Sequence, residues 1–99
     1  MGARLDADTK AHLTLIRPFL AFKRMALGLT QDDLNHMLGF ADRLVSKWEC
    51  GDRDPSCFSF EVWFQTLGLP SKEQVIKESY EYAKCHRHRL GAKRSNCDC

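Results

Sequence analysis

The sequence has no apolar run long enough to cross a membrane and no segment with the composition of a secretory signal. A membrane-spanning helix needs about 20 apolar residues in succession, and the first eight residues, MGARLDAD, lack the apolar stretch that export requires. We therefore expect a cytoplasmic protein that makes no contact with a membrane. Its 99 residues, 43% of them hydrophobic, suffice for one small domain with its own core.

Disulfide frameworks, metal sites and catalytic groups have no clear pattern in the sequence either. There are five cysteines, an odd number, and no C-x-x-C pair, so we expect free thiols. The four histidines lie apart from any Ser, Cys or carboxylate partner, and no glycine-rich loop is suited to phosphates. We therefore predict no enzyme activity, no cofactor, no bound metal and no small-molecule substrate.

The net charge of +2 is small but unevenly distributed. Residues 1–70 carry eight Lys or Arg and nine Asp or Glu, whereas residues 71–99 carry seven and four. Between Lys84 and Arg94 there are five basic residues, two histidines and no acid. Attraction for a polyanion would therefore come mainly from the C-terminal end.

Capping residues and glycines divide the chain into helices. Pro18 suits the first turn of a helix that ends at Gly28, a natural left-handed cap. The preceding DTKAHLTLI could be a separate short helix or a kinked continuation, and Arg17 before the proline favours a break. Thr30 is a natural N-cap for the next helix, which ends at Gly39. The buried stripe predicted for that helix is Leu34, Met37 and Leu38.

A short helix over residues 42–50 is predicted after the turn. At about 100° per residue, Val45 and Trp48 point toward the core, and Glu49 lies on the inner shoulder. The outward side is basic and polar, and is formed by Arg43, Ser46, Lys47 and Cys50, with Asp42 and Leu44 on the flanks. This face could meet a polyanion although the segment 29–56 holds six acidic residues and only three basic ones.

Two further helices are predicted, with N-caps at Ser56 and Ser71. The main apolar face of the first is predicted to consist of Phe60, Trp63, Phe64 and Leu67. On the second, one side carries Val75, Ile76, Ser79, Tyr80, Ala83, His86 and Leu90. Phe58 and Val62 form a second apolar stripe on the first helix, either covered by the C-terminal helix or forming a homodimer contact. Gly91 ends the second helix, and a polar tail follows.

The segment from about Pro18 to Leu69 resembles the helix-turn-helix domain of phage repressors and Cro-type regulators, the XRE-like family. The resemblance rests on LGLTQDDL, the turn glycine Gly39, VSKWECG and the PS before the fourth helix. It implies an all-α, compact repressor-like domain of five helices, to which the N-terminus could add a sixth. The implied division is an N-terminal extension (1–17), the helix-turn-helix domain (18–69), an extended C-terminal helix (70–90) and a flexible basic tail (91–99).

The resemblance also implies which residues bind double-stranded DNA. In that family the third helix lies in the major groove, which here gives base-reading positions to the outward face of the helix over residues 42–50. Arg24 and Glu49 match a pair that forms an internal salt bridge in several relatives. Lys93 and Arg94 of the tail are expected to contact phosphates. The complete predicted set is Gln31, Asp42, Arg43, Leu44, Ser46, Lys47, Arg53, Lys93 and Arg94.

Three features depart from the family pattern. Ala41 replaces the usual capping Ser or Thr, which costs the following helix about 1 kcal/mol. The loop of Asp52, Arg53 and Asp54 is acidic where many relatives have Lys or Arg against phosphates. Asp42 would repel a nearby phosphate. These changes lower the expected affinity for non-specific DNA.

We expect a sequence-specific transcriptional regulator, acting as a repressor that occupies a palindromic operator as a homodimer through Phe58 and Val62. The alternative is a protein-interaction module, an antirepressor or adaptor, that keeps the fold without binding DNA; the acidic residues favour it. A zinc site in the tail is a further alternative, but the spacing C-x-x-H-x8-C-x-C from Cys85 to Cys99 matches no zinc module.

Overall fold

The computed structural model describes residues 4–40 and 43–85, and within these ranges the regular elements are all helices. Their bounds are α1 (Ala7–Ala11), α2 (Leu13–Ala26), α3 (Gln31–Leu38), α4 (Leu44–Cys50), α5 (Cys57–Thr66) and α6 (Lys72–Cys85). An isolated antiparallel bridge joins Arg4 to Ser56. The all-α prediction is confirmed, and no helix in the described ranges is both long and apolar enough to cross a membrane.

The core is centred on two tryptophans. Trp48 of α4 and Trp63 of α5 lie with ring centroids 5.1 Å apart and are both buried. Burying a large apolar side chain contributes about 1.5–3 kcal/mol, so this contact joins the two helices firmly. The buried apolar residues are Leu13, Ile16, Phe19, Leu20, Leu34, Val45, Trp48, Phe60, Trp63, Phe64, Leu67, Leu69 and Val75. The core positions predicted for α4 and α5 are therefore confirmed.

The expected break before Pro18 is wrong, because α2 continues through the proline. A proline inside a helix removes one backbone donor and costs about 3 kcal/mol. Leu13 and Ile16 precede it and Leu20 follows it on one buried face, and burying them offsets that cost. The chain breaks instead at His12, which ends α1 and begins α2.

The predicted helix caps are largely confirmed. Thr30 caps α3 through a complete capping box with Asp33, and Gly39 ends α3 in the left-handed conformation. Ser56 caps α5 by accepting the Ser59 N–H at 3.1 Å. The capping box predicted at the start of α6 is only half formed: Ser71 accepts the Gln74 N–H at 3.2 Å, while the Gln74 side chain donates to Glu78.

One residue predicted to be buried is exposed. Met37 of α3 is 58% exposed, and Asn35 is buried in its place, because α3 turns that polar residue toward α4. On α6, the side that carries Val75, Ser79 and Tyr80 is only partly covered: Val75 and Ser79 are buried, whereas Tyr80 is 48% exposed. The predicted continuation of this helix, with His86 and Leu90, lies outside the described residues.

The N-terminal residues are tied to the rest of the fold by polar contacts. Asp6 caps α1 and forms an ion pair with Lys72 of α6 at 3.2 Å. Hydrogen bonds from Thr9 and this pairing lower the pKa of Asp6 to about 2. Thr9 itself is fully buried.

The expectation of free thiols is confirmed in part. Cys57 and Cys85 are free and exposed. Cys50 is disulfide-bonded, so the expectation is wrong for that residue.

Candidate nucleic-acid interface

The turn between α3 and α4 has a residue in the left-handed conformation on each side. Gly39 (φ 74°) ends α3, and Arg43 (φ 66°) is the N-cap of α4. α4 therefore starts at Leu44, later than predicted, and Arg43 precedes its first residue as the N-cap instead of lying inside the helix. A left-handed conformation costs a residue with a side chain about 1–2 kcal/mol. In the described part of the chain Arg43 is the only residue other than glycine with a positive φ.

The N-terminus of α4 is capped by a residue of another helix. Arg43 makes no side-chain capping bond. Instead, Asn35 of α3 accepts the Val45 N–H through Oδ1 at 3.0 Å, and Asn35 is only 8% exposed. This bond satisfies one of the helix's unpaired amides and fixes α4 against α3. The sequence did not reveal it, because the acceptor lies ten positions earlier and asparagine inside a helix is ordinarily unfavourable.

A carboxylate network fixes the other end of α4. The predicted ion pair between Arg24 and Glu49 is confirmed, with Arg24 Nε and Nη2 at 2.7 and 3.1 Å from the two carboxylate oxygens. Gln31 at the start of α3 donates to Glu49 Oε1 at 2.9 Å. Arg24 also donates to the carbonyl of Leu29 at 2.7 Å. Gln31 therefore has an internal partner, and its contact with DNA stays a prediction.

Internal donors bind three of the six carboxylates in the segment 29–56: Asp33, Glu49 and Asp54. The Thr30 N–H donates to Asp33 Oδ2 at 3.0 Å and lowers the pKa of that carboxyl. Asp54 accepts from Arg17 at 2.6 Å, and this bond is the main cause of its lowered pKa. Half of the acidic residues of this segment thus have structural roles. Asp32 and Asp52 form no ion pair with any described residue.

The cations beside α4, unlike these carboxylates, are not bound by internal partners of opposite charge within the described ranges. Arg43 and Arg53 are exposed and Lys47 is half-buried, and none of the three forms an ion pair within the described ranges. The ion pairs that hold the fold use four other cations: Lys10, Arg17, Arg24 and Lys72. Positive charge therefore remains available at the start of α4, along it and in the loop that follows.

The other predicted DNA-binding residues have different positions. Ser46 is half-buried on α4, and Leu44 packs partly against the core. Asp42, Lys93 and Arg94 lie outside the described residues, as does Ala41.

The predicted dimer residues lie on α5. Phe58 is 63% exposed, and Val62 is half-buried. The ring of Phe40, from the turn after α3, stands edge-on to Phe58 with centroids 6.4 Å apart. The described part of α6 therefore does not cover Phe58.

Comparisons with protein-family models, with curated proteins and with solved structures found no match to this chain. The resemblance to phage-repressor domains therefore rests on the motif residues of the sequence alone.

Replacing Asn35 with alanine should lower the free energy of unfolding by about 1–3 kcal/mol, because the buried Val45 amide loses its acceptor. Urea denaturation measures the loss, and His36→Ala, at the exposed neighbouring position, is the matched control. Equal stability of the two variants would show that the inter-helix cap contributes nothing.

The left-handed conformation of Arg43 predicts that Arg43→Gly is more stable than Arg43→Ala by about 1 kcal/mol. Glycine adopts this conformation without strain, whereas alanine retains the strain. Urea denaturation of the two variants side by side measures the difference. If alanine is as stable as glycine, the residue is not left-handed in solution.

Proposed function

We propose that this protein is a sequence-specific DNA-binding transcriptional regulator of the phage-repressor type, with α4 in the major groove. The observation that supports this best is the division of charges around α4. Three of the six carboxylates of the segment 29–56 are bound by internal partners, whereas Arg43, Lys47 and Arg53 have no ion pair among the described residues. Such cations can neutralise phosphates or contact bases at no cost to the fold.

Each of these three cations can make a DNA contact that suits its position on α4 or in the loop after it. Arg43, exposed at the start of α4, can donate two hydrogen bonds to O6 and N7 of a guanine, which discriminates by about 1–3 kcal/mol. Lys47 lies one helical turn further along the same side and can reach a base edge or a phosphate. Arg53, which is exposed in the loop after α4, can neutralise a phosphate. Ser46 can donate to or accept from a base.

The short length of α4 argues for two copies on the DNA. Its seven residues span about 10 Å, which covers about three base pairs at 3.4 Å per step. Three base pairs cannot select an operator, so a second copy is needed. We propose that Phe58 and Val62 join two copies on a palindromic site, with half-sites about 34 Å apart. The bound dimer would repress by blocking polymerase.

A protein-interaction module is the second candidate. It is favoured by the exposed ring of Phe58 and by Asp32 and Asp52, whose carboxylates would repel phosphates. Such a module would not bind DNA in a salt-dependent way, whereas a regulator should lose affinity steeply as salt rises.

Selection from a random duplex library should enrich an inverted repeat, and Arg43→Ala should weaken binding to it about 5- to 150-fold while affecting a scrambled duplex less. Lys77→Ala, which removes an exposed lysine from α6, is the control for lost charge and should change neither. Fluorescence anisotropy at two salt concentrations measures both affinities. Failure to enrich any sequence, together with salt-independent binding, would favour the interaction module.

Phe58→Glu should convert a dimer into a monomer, because a carboxylate would be buried in the proposed apolar contact. Met25→Glu is the matched control, since Met25 of α2 is 59% exposed, close to the 63% of Phe58. Sedimentation velocity over a range of concentrations measures the mass of both variants and of the natural chain. A natural chain that is monomeric at every concentration contradicts the dimer.

A further inference from the structure

Arg17 makes three contacts that the sequence motif did not suggest. It lies on α2 with its side chain 13% exposed, and its guanidinium faces the loop after α4. Nη1 donates to the carbonyl of Trp48 and to that of Arg53, the latter at 3.3 Å. Nη2 donates to Asp54 Oδ1 at 2.6 Å. One side chain thus binds the last turn of α4 and two successive residues of the loop.

The loop is also wound around the end of α4. The amides of Gly51, Asp52 and Arg53 all donate to the carbonyl of Lys47, at 3.1, 3.0 and 3.3 Å. The carbonyls of a helix's last turn have no N–H donor within the helix. After the Lys47 carbonyl, which accepts from the loop amides, comes that of Trp48, which accepts from Arg17. The backbone at Arg53 is therefore bound on its N–H side by α4 and on its carbonyl side by Arg17, while its side chain remains exposed.

Arg17 also neutralises an acidic residue of the loop, Asp54. Its carboxylate is paired with Arg17 and, at 3.5 Å, with Lys10 of α1. These contacts lower its pKa and balance a charge that would otherwise repel a phosphate near Arg53. One of the loop's two carboxylates is thereby neutralised, whereas Asp52 has no ion pair among the described residues.

We propose that Arg17 is a positioning residue for DNA binding, which holds the loop after α4 so that Arg53 meets a phosphate and Asp54 does not oppose it. This inference rests on the proposed function. Arg17 itself does not touch DNA in this arrangement. Its positioning effect on affinity should therefore pass through Arg53. The neutralisation of Asp54 is a separate effect, which a lysine at position 17 preserves.

The test compares the full chain with Arg17→Lys, Arg53→Ala and the double variant, in duplex binding at several salt concentrations. Loss of one phosphate contact lowers the slope of log K against log salt by about 0.9 and the affinity about tenfold near 0.1 M salt. We expect Arg17→Lys and Arg53→Ala each to produce this loss, and the double variant to lose no more than either. Lys23→Met, another cation of α2, is the control and should leave the slope unchanged.

Arg17→Lys separates position from charge. It keeps the positive charge and the paired state of Asp54 but cannot reach three acceptors with one fork. It should therefore lose the slope that Arg53→Ala loses. Arg17→Met also removes the partner of Asp54 and should lose at least as much. If Arg17→Lys binds like the natural chain, or if the losses from Arg17→Lys and Arg53→Ala multiply in the double variant, the positioning role is overturned.

Hydrogen exchange provides a readout that needs no DNA. The amides of Asp52 and Arg53 should exchange faster in Arg17→Met than in Lys23→Met, because the loop loses its outer contacts. Unchanged exchange overturns the inference even where DNA binding is intact. Faster exchange in a chain that binds no duplex overturns both the proposed function and the positioning role, but leaves Arg17 as the contact that orders the loop.

Discussion

The buried ion pair between Arg24 and Glu49 is the interaction on which the rest of the structure depends. The two side chains are only 11% and 7% exposed, and with Gln31 they connect α2, α3 and α4 at one carboxylate. Removing one partner of such a pair typically costs 3–5 kcal/mol, because the remaining charge stays buried without compensation. The orientation of α4 is therefore set on its buried side by this network and by the tryptophan contact, and at its N-terminus by the bond from Asn35.

Once α4 is fixed in this way, three of the six acidic residues in the segment 29–56 are explained. Asp33 caps a helix, Glu49 belongs to the buried network, and Asp54 is held by Arg17. Each of these carboxylates has an internal donor, and none of them needs a role in binding. Apart from these three carboxylates, the charges without an ion pair among the described residues of this segment are three cations and two carboxylates, whereas the composition of the segment gives an excess of acids.

The sequence predicted the features that depend on local chemistry. Caps at Thr30 and Ser56 follow from side chains that bond their own helix within three residues, and the burial of Val45 and Trp48 follows from helical periodicity. The ion pair of Arg24 and Glu49 was predicted because the motif carries it. These features need no knowledge of distant contacts.

The features that the sequence did not reveal depend on residues far apart in the chain or contradict local backbone preferences. The continuous helix through Pro18 requires knowing that the residues on both sides are buried on one face. The cap from Asn35 and the contacts of Arg17 join residues ten and more than thirty positions apart. The left-handed Arg43 contradicts its own backbone preference, so no local rule could have placed it.

The surface around α4 can be tested directly by titrating a duplex into the isotopically labelled protein and following its amide resonances. The largest shifts are expected at Arg43, Lys47 and Arg53, with little change along α6. Shifts confined to α5 and α6, or no shift at low salt, would contradict the view that the internal pairing of acids leaves α4 free to meet DNA.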